Sequence, residues 1–284
     1  MRKLATYLSF VRFSHSVFAL PFALTGALLA WRAAAFSWWQ VLWIVIAMVS
    51  ARSAAMGFNR LVDARFDALN PRTAMRELPR GVMTTTEATS FVIVSAVVFV
   101  AAAAQLNSLC LVLSPVALAI VFWYSLAKRY TTYTQLFLGL AMAVAPVGGW
   151  IAAGGPPAAA EPWLLGLAIG LWVGGFDILY ACQDVAFDRG HGLRSIPARF
   201  GVPASIRLSR VMHVATVLVM AALWRVAALP VVYLAGVAMV AVLLVYEQSL
   251  VSDDDLSQVK KAFDLNGYVG IVYFAATALA LYVE

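Results

Sequence analysis

Asn59, Asp63 and Asp67 stand four residues apart, and 121 residues on the pattern returns as Tyr180, Asp184 and Asp188, with Asp177 just ahead of it. Residues four apart on a helix share one slanted stripe. Arg52, seven residues before Asn59, lies about two turns away on nearly the same face. Two helix ends would therefore present at least four carboxylates to one place. Four such groups repel unless cations stand between them. The same segment carries Arg60, Arg65, Arg72, Arg76 and Arg80. Mg²⁺ prefers one or two carboxylates together with phosphate oxygens and water over an all-protein cage. Acids and guanidiniums side by side thus suit a metal-bridged diphosphate, with the acids on the metal and Arg or Lys on the remaining oxygens. Arg72, Arg76 and Lys128 are candidates for the latter, and Tyr124 lies one turn before Lys128 on its face. The plainer alternative is that acids and bases at helix ends serve as topology anchors or surface ion pairs. Two copies in register, each followed by a basic Pro/Gly turn, argue against it. His15, His191 and His213 are lone histidines and read as structural. The acidic run "SDDDLSQ" reads as a solvated turn.

These charges sit in a very apolar chain. Of 284 residues 63% are hydrophobic and only 12% charged, which excludes an ordinary soluble domain and predicts an all-α, polytopic membrane protein. A crossing helix needs about 20 apolar residues. Nine runs qualify: 14–31, 38–58, 88–104, 109–127, 135–153, 163–183, 208–225, 229–247 and 262–283. The seventh and eighth are separated by only three residues. No cleavable signal peptide is evident. Cys110 and Cys182 both fall within predicted spans, which argues against a disulfide framework. With the N-terminus inside, 17 of the 20 Lys and Arg fall on the cytoplasmic side. The net charge of +6 is then a topology signal and not a nucleic-acid surface. The expected setting is a bacterial or archaeal cytoplasmic membrane, with the acidic segments facing the cytoplasm.

A faint repeat runs through the chain. "FNRLVDARFD" aligns with "LYACQDVAFD", and Lys128-Arg129 is echoed by Lys260-Lys261. The unit is four helices, an even number, so two copies would lie parallel in the membrane. A single domain over 1–284 is expected, a ring-like bundle of two pseudo-repeats, about 38–155 and 160–284, plus the first helix. "TTTEA" predicts a capping box from Thr84 to Glu87, and Pro203 suits the first turn of a helix.

Together, "NRLVDARFD", "NPRTAMRELPRG", "YSLAKRYT", "DILYACQDVAFD" with "GLRSIPARFG", and "LNGYVG" resemble the UbiA family of intramembrane aromatic prenyltransferases over nearly the whole chain. The resemblance implies a central cavity opening toward lipid and capped by polar loops. It implies that Asn59, Asp63, Asp67, Asp184 and Asp188 bind Mg²⁺ and diphosphate, with the four acids catalytic and Lys128 and nearby arginines on the diphosphate. Asp177 and Tyr180 match the start of the extended second motif. The implied reaction moves a polyprenyl group from an allylic diphosphate to a hydroxylated aromatic carboxylate. "FSHSVFALPFAL" and the "FNR" variant look most like the 4-hydroxybenzoate polyprenyltransferase branch, which includes enzymes acting on dihydroxynaphthoate in the futalosine route to menaquinone. The acceptor carboxylate would call for a cation, and Arg52 and Arg12 are the candidates. One departure stands out: many members carry Asp directly after the motif Asn, where this chain has Arg60. A secondary transporter or ion carrier is the alternative, because repeats and membrane carboxylates occur there too.

Overall fold

The computed structural model describes residues 2–11 and 19–283, and its described residues form helices and turns without strands. In chain order these are α1 (Arg2–Phe10), α2 (Leu20–Ala30), α3 (Trp38–Leu69), α4 (Thr85–Leu106), α5 (Ser108–Tyr130), α6 (Thr134–Ala152) and α7 (Glu161–Ala181). A 3₁₀ turn (Cys182–Asp184) leads to α8 (Val185–Gly190) and α9 (Ile196–Phe200). The last three are α10 (Val202–Val226), α11 (Val232–Ser249) and α12 (Val259–Val283). Eight helices are long and apolar enough to cross a membrane. The first expected span, 14–31, appears as the 11-residue α2; residues 12–18 lie outside the described part of the chain.

The boundaries differ from expectation in ways that bear on the site. The run expected to end at residue 58 continues unbroken to Leu69. Its 32 residues span roughly 48 Å, well beyond a hydrocarbon core of about 30 Å. Asn59, Asp63 and Asp67 therefore ride on a rigid helix that projects past the lipid, and the stripe predicted by spacing four is real. In the second half the helix breaks. The 3₁₀ turn falls between Asp177 and Asp188, so Asp184 and Asp188 do not continue the α7 stripe with regular helical spacing. The short gap after residue 225 does separate two helices. Ala228 adopts φ 47°, Leu229 N–H donates to Trp224 O at 3.0 Å, and Arg32 donates to Ala227 O across the bundle. The Thr84–Glu87 capping box forms in both directions, and Pro203 stands in the first turn of α10.

Burial shows which helix organises the others. In α7, 61% of the apolar window is buried, against 11% in α5. α7 packs against α6 and α10, and its Leu165, Ile169 and Trp172 are fully enclosed. Close approach is bought with small residues, as expected where lipid tails compete equally for apolar side chains. A Cβ on Gly139 would lie 2.3 Å from Gly170 O, on Gly26 2.1 Å from Pro146 O, and on Gly149 1.9 Å from Ala23 O. Polar keys add direction: Ser209 Oγ on α10 donates to Gly175 O at 2.8 Å.

The backbone contact at Gly149 has a built-in control, since a Cβ on neighbouring Gly148 would meet nothing within 4 Å. Gly149→Ala should lower the thermal unfolding midpoint in detergent, at a cost of about 1–3 kcal/mol for forcing α2 from α6. Gly148→Ala should leave it unchanged or slightly higher. Equal midpoints for the two variants would contradict the packing described.

Candidate active site

Two cavities meet between α3, α5, α6 and α7. One, of about 340 Å³, is polar and lies under the 70–84 and 191–195 segments. The other, of about 610 Å³, is apolar and runs between α3, α4, α5, α6 and α7. Arg52, Met56, Tyr124, Leu138 and Met142 line both. Apart from Arg12, which lies outside the described residues, every residue singled out from the sequence for metal or substrate lines the polar cavity, from Arg52 on α3 to Asp188 on α8. What the spacing could not supply is how they pair.

Asp63, only 3% exposed, receives Lys128 Nζ at 2.6 Å, Arg129 Nη2 at 3.3 Å on its other oxygen, and Asn59 Nδ2 at 3.3 Å. Arg129 also donates to Val62 O, which locks the end of α5 against α3. Asp67 takes both its hydrogen bonds from Arg76 Nη1, at 2.6 and 2.8 Å. Asp184 is met by a forked contact, Arg72 Nε at 3.1 Å and Nη2 at 2.5 Å, while Arg72 Nη1 donates to Tyr180 OH at 3.0 Å. Asp188 accepts from Ser195 Oγ at 2.8 Å, and the same hydroxyl caps α9 by accepting from Ala198 N–H. Burial works against the charge on Arg72, but the bond to Asp184 and its negative charge outweigh it and hold the guanidinium above its usual range.

The partners cross between the chain's halves. Arg72 belongs to the turn after α3 yet grips Asp184 beyond α7. That turn is set by Asn70, whose Oδ1 accepts from Arg72 N–H at 2.9 Å and whose Nδ2 reaches Asp184 at 3.4 Å. Thr73 Oγ1 donates to Asp67 O at 3.1 Å. From the other side, Arg194 N–H donates to Lys128 O at 2.8 Å, and its side chain donates to Tyr130 O at 2.6 Å. Asn70, Arg194 and Ser195 thus line the polar cavity, and Arg129 holds Asp63, without having been singled out from the sequence as candidates. The Asn-Pro step at 70–71 and the second base after Lys128 were the visible signals.

Other positions serve contacts outside the acid–base pairs. Arg60, which follows the motif Asn, lines the polar cavity but is only 4% exposed and donates from Nε to Phe10 O at 3.4 Å, near the end of α1. Its guanidinium caps orphan carbonyl character at a helix C-terminus, where an acid would be repelled. Lys260 and Lys261 are exposed in the first turn of α12, away from the cavity, so the echo of Lys128-Arg129 is not carried into the site. His191, just past the end of α8, bonds Phe187 O in that helix, and His213 is buried against Gln248. Asp255 caps its own turn through Ser257 N–H, as a solvated run would. His15 and Arg12 lie outside the described residues.

The donor set is made of carboxylate and amide oxygens, which suits a hard divalent cation such as Mg²⁺. Among the described residues no three acidic, His or Cys side chains converge as they would in an all-protein metal cage. A cation held here would need oxygens from a bound anion, and the ring of Arg and Lys faces the same space.

The chain was compared with known proteins. The family model described as the UbiA prenyltransferase family matches residues 19–277. A 4-hydroxybenzoate octaprenyltransferase of Aeromonas salmonicida is 33% identical over 242 residues, covering 85% of this chain and 83% of the relative. One from Citrobacter koseri is 32% identical over 249 residues, covering 84% and 83%. Among solved structures, a UbiA homolog from Aeropyrum pernix K1 superposes with a TM-score of 0.86 at 36% identity, covering 94% of this chain and 98% of that one. A UbiA homolog from Archaeoglobus fulgidus bound to GPP and Mg²⁺ shares the fold with a TM-score of 0.70 at 18% identity, covering 96% and 99%. With the apolar helices and paired acidic motifs already in view, these matches identify the chain as an integral membrane enzyme that belongs to the UbiA prenyltransferase family.

Proposed function

We propose that the protein transfers a polyprenyl group from an allylic diphosphate to a hydroxylated aromatic carboxylate, 4-hydroxybenzoate or dihydroxynaphthoate, in respiratory quinone biosynthesis. The observation that carries this reading is the junction of the two cavities. A cation-rich chamber fit for diphosphate opens, past Arg52 and Tyr124, into an apolar channel fit for an isoprenoid tail. The curated relatives named as 4-hydroxybenzoate octaprenyltransferases support prenyl transfer to 4-hydroxybenzoate, the first of these two acceptors. No observation favours the carrier alternative, and family membership displaces it.

In this reading Asn59, Asp63, Asp67, Asp184 and Asp188 hold Mg²⁺, which when bound supplies positive charge to the diphosphate leaving group. Arg72, Arg76 and Lys128, each hydrogen-bonded to one of those carboxylates, turn their N–H groups to the phosphate oxygens. These charges favour heterolysis of the allylic C–O bond, whose electron pair leaves with the bridging oxygen. A ring carbon of the acceptor then forms the new C–C bond, and the ring proton passes to a base in the cavity, for which Asp177, lining the cavity from α7, is available. Arg52 takes the acceptor carboxylate. Its Nε is buried without a hydrogen-bond partner at the seam of the two cavities, the kind of orphaned donor that an anionic ligand satisfies.

Four outcomes are expected. Membranes given Mg²⁺, one polyprenyl diphosphate and each acceptor separately should yield prenylated product by mass analysis. Asp63→Ala and Asp184→Ala should each cut it by about 10²-fold or more while the protein remains inserted. Near-normal product from either variant would sink the assignment. Arg52→Met should raise KM for the aromatic acid at least about tenfold and leave that for the prenyl diphosphate alone, with Arg52→Lys intermediate. Finally, Cys110 lines the apolar cavity about 21 Å along α5 from Tyr124, so a long prenyl diphosphate should protect it from N-ethylmaleimide. A short-chain donor should not.

A further inference from the structure

One wall of the polar cavity is made of rings. Trp172, Phe176 and Tyr180 recur every four residues on α7 and so form one stripe. Phe263 of α12 wedges between them, 5.5 Å from Phe176 in an edge-on contact and 4.6 Å from Tyr180. Trp172 lies 5.3 Å from Phe176, again edge-on. At the outer end, Arg72 stands over the Tyr180 ring at 5.3 Å while gripping Asp184. The wall thus runs from the diphosphate-type end of the chamber inward past the depth of Asp177.

Its inner end is keyed by a polar group that packing alone does not require. Asn266 of α12 is fully buried, and its Oδ1 accepts from Trp172 Nε1 at 2.7 Å. Its Nδ2 donates to Ala262 O at 3.1 Å and to Phe263 O at 3.3 Å. One side chain therefore fixes the indole at one end of the wall and the backbone of the residue that carries the wedge ring. A leucine would fill that volume without the desolvation cost of an amide, so the amide is there for direction.

Ionisation creates a chemical problem that this wall answers. When the allylic C–O bond breaks, the cation must be stabilised by something that will not bond to it. Carboxylates and water would trap it, and the arginines would repel it. The negative face of an aromatic ring stabilises a cation without forming a bond. We propose that Phe176 and Phe263 present the π surface against which the allylic cation forms, and that Asn266 is a positioning residue that holds this surface through Trp172 and the α12 backbone. The proposal rests on the prenyl-transfer reading above.

Isosteric rings test it without disturbing the fold. Replacing Phe263 with mono-, di- and trifluorinated phenylalanines should lower kcat stepwise, by about tenfold across the series, with KM for the prenyl diphosphate constant. A kcat that ignores the number of ring fluorines would overturn the proposal. Asn266→Leu should lower kcat about tenfold and flatten the fluorine dependence, which a purely structural role would not do. Should that variant fail to fold, replacing Trp172 with 3-benzothienylalanine keeps the bicyclic shape, removes the N–H donated to Asn266 and should flatten the series in the same way; an undiminished slope in it would contradict the role of Asn266. The two readings fail differently. An unmodified protein that releases no diphosphate from any prenyl donor removes the functional assignment. An active protein with a flat fluorine series removes only the aromatic surface.

Discussion

Carboxylates at the edge of a bilayer are held here by cations drawn from distant parts of the chain, and the architecture follows from satisfying them. Asp63 on α3 draws in Lys128 and Arg129 at the end of α5, Asp67 draws Arg76 back from the following turn, and Asp184 draws Arg72 across from the other half. Leaving any of these acids buried and unpaired would cost several kcal/mol. The pairs therefore tie three helix ends and two turns into one roof. Because that roof is built of hydrogen-bonded charges and not of packed hydrocarbon, it can exchange partners with an anionic ligand that brings its own cation.

Beneath the roof the constraints change character. Helices in lipid gain little from burying apolar side chains against one another, so contact depends on shape and on a few directional bonds. Glycines let α2, α6 and α7 touch backbone to backbone, while Ser209, Thr216 and Asn266 bond to α7 from α10 and α12. The helix that carries Asp177 and leads into Asp184 is thereby the most enclosed of the eight long apolar helices. α5 has only 11% of its apolar window buried and forms the thin outer wall of the apolar channel. Rigid chemistry on one side and a lipid-facing wall on the other suit a substrate that is half diphosphate and half hydrocarbon.

Arg60 shows how a single substitution in a motif can be absorbed. The motif stripe needs only positions one turn apart, and Arg60 points off that stripe toward α1. There it meets the carbonyl end of an interfacial helix, whose Ser9 also donates to Glu77 at 2.6 Å in the turn that carries Arg72 and Arg76. In this chain the position anchors the segment beside it. Asp63 and Asp67 keep their places because the helix under them is unchanged.

Much of this was legible in the chain itself. Apolar runs and their spacing give the crossing helices, since hydrophobic length is a local property. The spacing of Asn59, Asp63 and Asp67 gives their common face, because α3 is regular there. The duplicated acids and neighbouring bases point to the class of ligand proposed above. The tertiary structure decided what depends on two segments meeting. That Arg72 pairs with Asp184 and not with nearby Asp67 depends on the turn shaped by Asn70. That Lys128 belongs to the site while Lys261 does not depends on which helix end faces the cavity. The 3₁₀ turn at 182–184 interrupts a register that the sequence presents as a clean repeat. The ring wall joined by Phe263 had no signal at all, since aromatic residues on separate helices carry no shared period. Local pattern specifies elements and faces; only packing specifies partners.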